Sequence, residues 1–344
     1  MSTATIDSLR ELGVDAEGVS IVDDKVVTHS QFIKVINLRK PTGSLKNFLR
    51  FCFNFPYFIC YLTYKICRAD VLFWIQELPF PRVYWKFLIK ILKKKGVIEF
   101  VGSDIRNPEI LSKINPFYKE VYHNGYEYAG YENEQKSIRN LSDFYELGFT
   151  WIGCPEMFLF AHPSVPFSNK KTIFQRYQID FDKIISSKNN IKVKIVHAPT
   201  AKIAKGSKII KSVIEELQDT YEIEYIELFG VAREKALKII ASADIFIDQI
   251  ICGGYGMACI EAMSMGVPTI CFVMPEVFEN GLPEECPIVN SNPSNLKQNV
   301  MELISNKDMR FDIGKKSTEY VMKYHDANKI AIELKAIFED LIKC

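Results

Sequence analysis

The sequence predicts an α/β protein with two domains, each built around a parallel sheet. In the second half of the 344 residues, short apolar strands alternate with single amphipathic helices. This order is typical of a parallel sheet with right-handed crossovers. The first half shows a less regular alternation of the same kind. The polar stretch Arg176–Asn190 between the halves is the predicted linker.

Composition and charge exclude several classes of protein. Hydrophobic residues make up 48% of the chain, which excludes a disordered protein, and the net charge of +1 gives no reason to expect nucleic-acid binding. The nine cysteines form no CxxC pair and no metal-like spacing with the five histidines. Reduced thiols of a cytoplasmic protein are therefore expected. The first twenty residues lack the apolar segment of a secretory signal.

In the first half, apolar runs predict strands and amphipathic runs predict helices. The predicted strands are Val71–Ile75, Val97–Val101 and Thr150–Gly153, and the predicted helices are Val83–Lys95 and Asn133–Leu147. The chain opens with Ser8–Ala16, which looks like the end of a helix, and no apolar strand precedes it. The first strand of this domain is therefore expected to be absent.

The aromatic-rich stretch Leu45–Cys67 is the candidate for a membrane contact. Arg50, Asn54 and Pro56 in its interior argue against a spanning helix. We expect either a helix that lies at the membrane interface or a large helix buried under a domain. The helix Val83–Lys95 is basic and amphipathic, so it is the second candidate for contact with the inner face of a membrane.

In the second half, ligand-binding loops are expected beyond the carboxyl ends of the strands, as in other parallel sheets. The predicted strands are Val193–His197, Ile223–Phe229, Ala243–Asp248 and Val267–Val273, and the helices between them are Gly206–Leu217, Arg233–Ala241 and Met257–Met265. Helices are also predicted at Ser294–Ser305, Met309–Tyr324 and Ala327–Ile342. The sequence ADIFID, which ends at Asp248, is interpreted as a strand with alternating burial rather than as a metal-binding loop.

The first motif, HAPTAKIAKGS, follows the strand that ends at His197. Lys205 at the start of the predicted helix can neutralise a diphosphate, and Ser207 is the expected cap of that helix. Thr200, Lys202 and Gly206 belong to the same candidate binding loop. A solvated surface lysine is the alternative interpretation.

The second motif is Cys252–Ile270, a glycine-rich turn followed by a short helix. Gly254 and Gly256 allow the backbone to approach a ligand closely, and the helix directs free N–H groups and its positive end at that ligand. This arrangement suits a diphosphate. Glu261 lies one to two turns into the helix, within reach of a hydroxyl beside the phosphates. The alternative is a tight turn before a helix with an exposed glutamate.

Together the two motifs resemble the KG-x-x-x-I and G-x-G-x-x-x-x-E-A-M-x-x-G-x-P signatures of retaining glycosyltransferases of family four, the group 1 glycosyl transferases. The resemblance covers roughly residues 190–325 and, loosely, the first half. It implies the GT-B architecture, with Rossmann-like domains at 1–180 and 190–325 and a cleft between them. It also implies a C-terminal helix, 326–344, that crosses back to the first domain.

The resemblance assigns roles to the site residues. Glu261 would hold the ribose hydroxyls of a nucleotide sugar, Lys205 would bind its diphosphate, and Tyr255, Gly256 and Met257 would offer backbone N–H groups. A UDP- or GDP-sugar would act as co-substrate, and neither a metal nor another cofactor is expected. The sugar would pass, with retention and without a protein nucleophile, to a glycan or lipid-linked acceptor in surface polysaccharide assembly.

A third motif, Gly102-Ser103-Asp104-Ile105-Arg106, follows the strand Val97–Val101. In the enzymes it resembles, this loop faces the cleft, so Asp104 or Arg106 would contact the sugar or the acceptor. An Asp–Arg pair that closes the loop is the alternative. Glu77, at the end of another predicted strand, is a weaker candidate.

The resemblance is incomplete. The family usually has a glutamate eight residues before Glu261 that holds the transferred sugar, and here that residue is Gly253. A histidine often precedes the third motif, and here it is Val101. The interval between Lys205 and Glu261 is also short, as though one strand–helix unit were missing. Two other functions therefore stay open: a non-catalytic partner subunit that keeps a nucleotide pocket, and a GT-B sugar epimerase or phosphorylase.

Overall fold

The computed structural model describes residues 3–21, 30–38, 45–178 and 191–343. The first half contains, in chain order, α1 (Thr3–Glu11), β1 (Gly18–Ser20), β2 (Ile33–Val35), α2 (Leu45–Arg68), β3 (Val71–Ile75), α3 (Arg82–Ile91), β4 (Lys95–Glu99), α4 (Pro108–Ile114), α5 (Pro116–Asn124), α6 (Glu134–Glu146), β5 (Thr150–Gly153), a 3₁₀ helix (Pro155–Phe160) and β6 (Lys170–Thr172). A parallel four-stranded sheet in the order β3-β4-β5-β6 defines the first domain, and β1 and β2 form a separate parallel pair.

The second domain contains β7 (Val193–His197), α7 (Lys202–Lys205), α8 (Ser207–Gln218), β8 (Ile223–Glu227), α9 (Arg233–Ala241), β9 (Ile245–Ile247), α10 (Met257–Ser264), β10 (Thr269–Cys271), α11 (Pro275–Glu279), β11 (Val289–Asn290), α12 (Leu296–Ser305) and α13 (Lys307–Tyr324), and α14 (Ala327–Lys343) follows it. Its parallel five-stranded sheet has the order β11-β10-β9-β7-β8. The chain leaves β7 for β8 on one side and returns to β9 on the other. The carboxyl ends of β7 and β9 therefore flank the crevice where such sheets bind ligands.

Among the predicted elements that differ from the observed ones, three have a clear physical reason. The basic helix Val83–Lys95 ends at Ile91, because Lys93 adopts a left-handed conformation and Lys95 already begins β4. The helix predicted from Gly206 is divided into α7 and α8 at Gly206 itself, where φ is +76°. The ADIFID strand is not alternately buried: all of β9 is buried, because a central parallel strand is covered on both faces.

The last helix returns to the first domain. α14 packs on α1, β3 and β4. Ile330 and Leu334 of α14 share an apolar cluster with Leu9 of α1 and Val97 of β4. Burial of these side chains stabilises the return of the chain, as the GT-B architecture requires.

The two points where the chain passes between the domains lie side by side. Tyr177 N–H donates to the carbonyl of His325 at 2.8 Å, and Ala327 N–H donates to the carbonyl of Tyr177 at 3.1 Å. Of the predicted linker Arg176–Asn190, residues 179–190 lie outside the described part. Arg176 is itself buried in an ion pair with Glu99 of β4, so it belongs to the first domain.

The stretch Leu45–Cys67 forms one continuous helix, α2, with Pro56 inside it. Phe58 and Ile66 are buried against the domain, whereas Phe53 is 77% exposed. The prediction of a large helix buried under a domain is therefore wrong. No helix in the described ranges is both long and apolar enough to cross a membrane.

Candidate functional site

An ion pair occupies the crevice between β7 and β9. Lys205, the last residue of α7, donates to Asp248, which directly follows β9 and is 1% exposed. The other carboxylate oxygen of Asp248 accepts from Gly256 N–H at 3.4 Å. Burial lowers the pKa of Lys205, but the Asp248 carboxylate outweighs it and the net pKa is raised. The Lys205 ammonium is thus fixed in its charged form at the strand ends.

Ser207 does not cap α8 as the sequence predicted. Gly206 occupies the N-cap position, and no side chain caps the helix. The Ser207 hydroxyl lies 2.8 Å from Nε2 of the buried His197, whose Nδ1 faces the carbonyl of Ile247 at 2.8 Å. Because a carbonyl only accepts, Nδ1 carries the proton and Nε2 accepts from Ser207. Ser207 therefore anchors α8 to the end of β7.

Gln249, which lies outside both predicted motifs, shapes the glycine turn. Its side-chain oxygen accepts from the N–H groups of Ile251 at 2.8 Å and Cys252 at 2.6 Å. Its amide nitrogen donates to the carbonyls of Gly254 at 2.6 Å and Phe272 at 2.7 Å. A buried amide satisfied on both sides fixes the turn against β10. Its position directly after Asp248 was the available signal.

Gly253 has a steric reason to be glycine. Its φ is +85°, and a Cβ at this position would lie 2.5 Å from Cγ of Met274. A glutamate cannot adopt this conformation without strain or fit beside Met274. The conformation of the turn therefore requires glycine at position 253, and it leaves no room there for the glutamate of the family pattern.

The N-terminus of α10 faces the same crevice. Gly256 is its N-cap and no side chain caps it. The first N–H groups of a helix have no partner within the helix, so those of Met257 and the next residue are available to an anion. Tyr255 offers only its backbone here, because its hydroxyl lies 3.1 Å from Nε2 of His325 and 3.2 Å from the hydroxyl of Tyr320.

Glu261 is buried in the second turn of α10 and is paired with Arg233, the first residue of α9. Arg233 Nε donates to the Glu261 carboxylate at 3.0 Å. Burial raises the pKa of Glu261, and Arg233 opposes that shift. The interpretation of Glu261 as an exposed surface residue is therefore wrong. Neither motif of the second domain includes Arg233.

The remaining residues of the first motif lie toward β8. Lys202 pairs with Glu227 at 2.5 Å and is 46% exposed, and Thr200 is exposed. The N–H groups of Ile203 and Ala204 donate to the Glu127 carboxylate of the first domain at 2.8 and 3.1 Å. The structure thus brings Lys205, but not the Lys202 ammonium, to the glycine turn.

In the third motif, Asp104 and Arg106 have separate partners. Asp104 closes its own loop by accepting from the N–H groups of Val101 at 3.1 Å and Gly102 at 2.8 Å. Arg106 pairs with the buried Glu132, which also accepts from two tyrosine hydroxyls. The alternative of an Asp104–Arg106 pair is therefore wrong. Glu77 lies 3.5 Å from Arg82 and 3.5 Å from Arg139, so it contacts arginines of α3 and α6.

One group of side chains in the described ranges has the composition of a metal site. Ligand atoms of Asp248, Cys259 and Cys271 lie within 4.8 Å of one another, and all are buried. Burial raises the pKa of the Cys259 thiol well above its ordinary value, which disfavours the thiolate that binds metals. A cation here would also compete with the Lys205 ammonium for Asp248.

Glu156 of the first domain reaches the glycine turn, and the sequence analysis did not identify it. A Cβ on Gly254 would lie 3.1 Å from Cβ and Cγ of Glu156. The Glu156 side chain is 7% exposed, and burial raises its pKa to about 7. Its place directly after β5, at a strand end facing the second domain, was the signal available in the sequence.

Residues 182–306 match the family model described as glycosyl transferases group 1. No curated protein sequence matches the chain. The fold is similar to HepE from Anabaena in complex with UDP, at 12% identity over 90% of this chain and 86% of that one with a TM-score of 0.57.

It is also similar to a sucrose-phosphate synthase from Thermosynechococcus elongatus (11% identity, 98% and 92% covered, TM-score 0.58). WaaG, a glycosyltransferase involved in lipopolysaccharide biosynthesis, is another such structure (9% identity, 97% and 94% covered, TM-score 0.56). At these identities the likeness concerns the fold, and it confirms the predicted α/β GT-B architecture.

Proposed function

We propose that this chain, which has the GT-B fold and a second domain that matches the group 1 glycosyl transferases, transfers a sugar from a UDP- or GDP-sugar with retention. The observation that carries the proposal is the convergence of Lys205 and the uncapped N-terminus of α10 at the switch point of the second sheet. A nucleoside diphosphate suits that combination of a fixed cation and free N–H groups. HepE, which shares the fold, binds UDP.

The diphosphate would lie at the N–H groups of Met257 and the next residue, because the Gly256 N–H, which the sequence also offered, already donates to Asp248. Lys205 has three N–H donors and gives one to Asp248, so others are left for phosphate oxygens. As the bond to the sugar breaks, negative charge grows on the leaving diphosphate. A cation and helix dipole already fixed at that place stabilise this charge without reorganisation. We expect no metal in this step.

Glu261 would accept hydrogen bonds from the ribose hydroxyls. Arg233 occupies one of its carboxylate oxygens, which leaves the second oxygen for the ribose. Because Arg233 is half exposed, it also lies where a nucleotide could contact it. The pair thus fixes the direction in which the nucleotide extends from the diphosphate.

Product analysis with a panel of UDP- and GDP-sugars tests the proposal. Lys205→Ala and Glu261→Ala are each expected to lower turnover about 100-fold, the usual effect of losing a group that stabilises transition-state charge or holds the donor. Lys202→Ala is the matched control, because its exposed ammonium pairs with Glu227. Near-normal turnover by both site variants would remove the site assignment.

The same panel separates the other candidate functions. Nucleotide binding without turnover, restored by a second protein, would favour the non-catalytic partner subunit. An isomerised sugar nucleotide in the product mixture would favour an epimerase. Gly253 motivates both alternatives, because the turn lacks a carboxylate for the sugar.

We further propose that the acceptor is a glycan or a lipid-linked glycan, reached from a cytoplasmic membrane face. α2 and α3 lie side by side, since the Phe58 and Trp85 rings are 5.8 Å apart. Both expose large apolar side chains, at Leu49, Phe53 and Tyr57 of α2, at Val83, Phe87 and Ile91 of α3, and at Phe80 between them. Exposed lysines at 90, 93 and 95 flank this apolar surface.

Such a surface fits an anionic lipid headgroup layer, because the apolar side chains enter the layer and the lysines meet its charge. WaaG, which shares the fold, takes part in lipopolysaccharide biosynthesis. Flotation with anionic vesicles is expected for the native chain and not for a Phe53→Ser, Phe87→Ser variant. Phe311→Ser, at a 61% exposed residue of α13, is the matched control. Equal flotation of all three proteins would exclude this surface.

A further inference from the structure

We propose that Glu156, contributed by the first domain, binds a hydroxyl of the transferred sugar and so supplies the carboxyl group that the glycine turn lacks. This inference rests on the proposed transfer from a nucleotide sugar. It adds a residue that is distant in sequence from both motifs of the second domain.

The position of Glu156 is the first observation. It lies in the 3₁₀ helix that follows β5, at the carboxyl ends of the strands of the first sheet. Its Cβ and Cγ approach the backbone of Gly254 so closely that a Cβ there would be 3.1 Å from each. Gly254 is two residues before Gly256, the N-cap of the helix whose first N–H groups are proposed to bind the diphosphate. The sugar is bonded to that diphosphate, so it would lie within reach of this side of the turn.

The lack of a partner is the second observation. Glu156 is 7% exposed, and within the described residues no other side chain forms a hydrogen bond or an ion pair with its carboxyl group. Four other buried acids near the domain boundary are paired with basic side chains, and the buried Asp104 accepts from the backbone N–H groups of its own loop. These pairs are Glu99 with Arg176, Glu132 with Arg106, Asp248 with Lys205 and Glu261 with Arg233.

An unpaired buried carboxyl costs folding free energy, so its presence points to a ligand that completes its hydrogen bonds. Burial raises the pKa of Glu156 to about 7, and a carboxyl near that value both donates to and accepts from sugar hydroxyls. A group that is partly protonated also adds less negative charge beside the diphosphate than a fully ionised one.

The third observation is that the glycine turn itself cannot carry a carboxylate at position 253. Gly253 has no room for one, because Met274 lies 2.5 Å from where its Cβ would be. Glu156 packs on the adjacent Gly254, so a carboxyl reaches the turn from the opposite domain. This contact joins the two domains, so recognition of the sugar would use residues of both.

The test compares Glu156→Ala and Glu156→Gln with the native chain. UDP and UDP-glucose serve as binding probes, and donor turnover is measured with the sugar-nucleotide panel. We expect Glu156→Ala to leave UDP affinity within twofold of the native value. In Glu156→Ala, the ratio of UDP-glucose affinity to UDP affinity should fall at least fivefold, and turnover should fall about 100-fold. Glu156→Gln should give values between those of the native chain and those of Glu156→Ala. Glu279→Gln, at an exposed glutamate of α11, is the matched control.

Melting temperatures separate a ligand contact from a structural role. A carboxyl kept for a ligand predicts that Glu156→Gln melts at or above the native temperature, because the buried acid has no partner to lose. A clearly lower melting temperature, or an unchanged affinity ratio, would overturn the inference while the transferase proposal stands. If the native chain neither binds nor turns over any sugar nucleotide in the panel, the proposed function fails and this inference fails with it.

Discussion

Single residues of the site are fixed by contacts that their neighbours in sequence do not reveal. Lys205 is held by Asp248, Glu261 by Arg233, and the glycine turn by the amide of Gln249. Asp248, Glu261 and Gln249 are buried, so their partners compensate a loss of hydration. Pairs of side chains from different elements thus hold the proposed diphosphate site in a fixed arrangement.

At the residue scale, Gly253→Ala is expected to destabilise the chain by about 3 kcal/mol, because it adds a left-handed alanine and a contact with Met274. Gly256→Ala is the control, since its φ is −112° and nothing lies within 4 Å of its Cβ position. The control should change stability by less than about 0.5 kcal/mol. Urea unfolding measures both, and equal losses would contradict the steric explanation.

Among the elements, α7 is a single helical turn whose start is capped from the other domain. Burial raises the pKa of Glu127, but hydrogen bonds from Ile203 and Ala204 prevail and the net pKa is lowered. Asn115 of the same region donates to the carbonyl of Ile251 at 2.8 Å. The α4–α6 region therefore holds both binding loops of the second domain in place.

Removal of the Glu127 carboxylate, which caps α7, is expected to destabilise that helical turn. Glu127→Ala should cost about 1 kcal/mol, the usual loss for a helix cap, and speed exchange of the Ile203 and Ala204 amides about fivefold. Hydrogen exchange measured by NMR reads these amides directly. Glu120→Ala, at an exposed glutamate of α5, is the control. Unchanged exchange in Glu127→Ala would mean that the cap contributes nothing in solution.

For the whole molecule, two buried histidines link stability to pH. Burial lowers the pKa of both His197 and His325 to about 4. Nδ1 of His325 lies 2.8 Å from the carbonyl of Gln175, and Nε2 faces Tyr255. Both rings are therefore neutral when folded. The stability that the two neutral rings contribute is fully present above about pH 6.5, the pKa of histidine in the unfolded chain. It is lost as the pH falls toward 4.

Each histidine should contribute roughly 3 kcal/mol to the acid loss of stability. His325→Gln is expected to be less stable at pH 7.5, and its further loss down to pH 4.5 should be smaller than that of the native chain by about that amount. Urea unfolding across this range measures the difference. His123→Gln, at an exposed ring, should follow the native curve. A native slope in His325→Gln would refute the assignment.

Much of the fold was predictable because local patterns agree with the final packing. The strands Val71–Ile75, Thr150–Gly153 and Val193–His197 and the helix Arg233–Ala241 have the predicted bounds. The strands β1, β2, β6 and β11 were missed. They have two or three residues each, and a run that short carries no periodicity.

The sequence by itself determined the alternation of strands and helices, the GT-B architecture and the placement of Lys205, Gly256 and Glu261 near one another. These features depend on residue type and spacing along one segment. The tertiary structure decided the partners, since Asp248 and Gln249 follow β9, Arg233 begins α9 and Glu156 comes from the first domain. It also decided that Gly253 must be glycine. Contacts between distant segments depend on how the two sheets pack, and a local pattern does not contain that information.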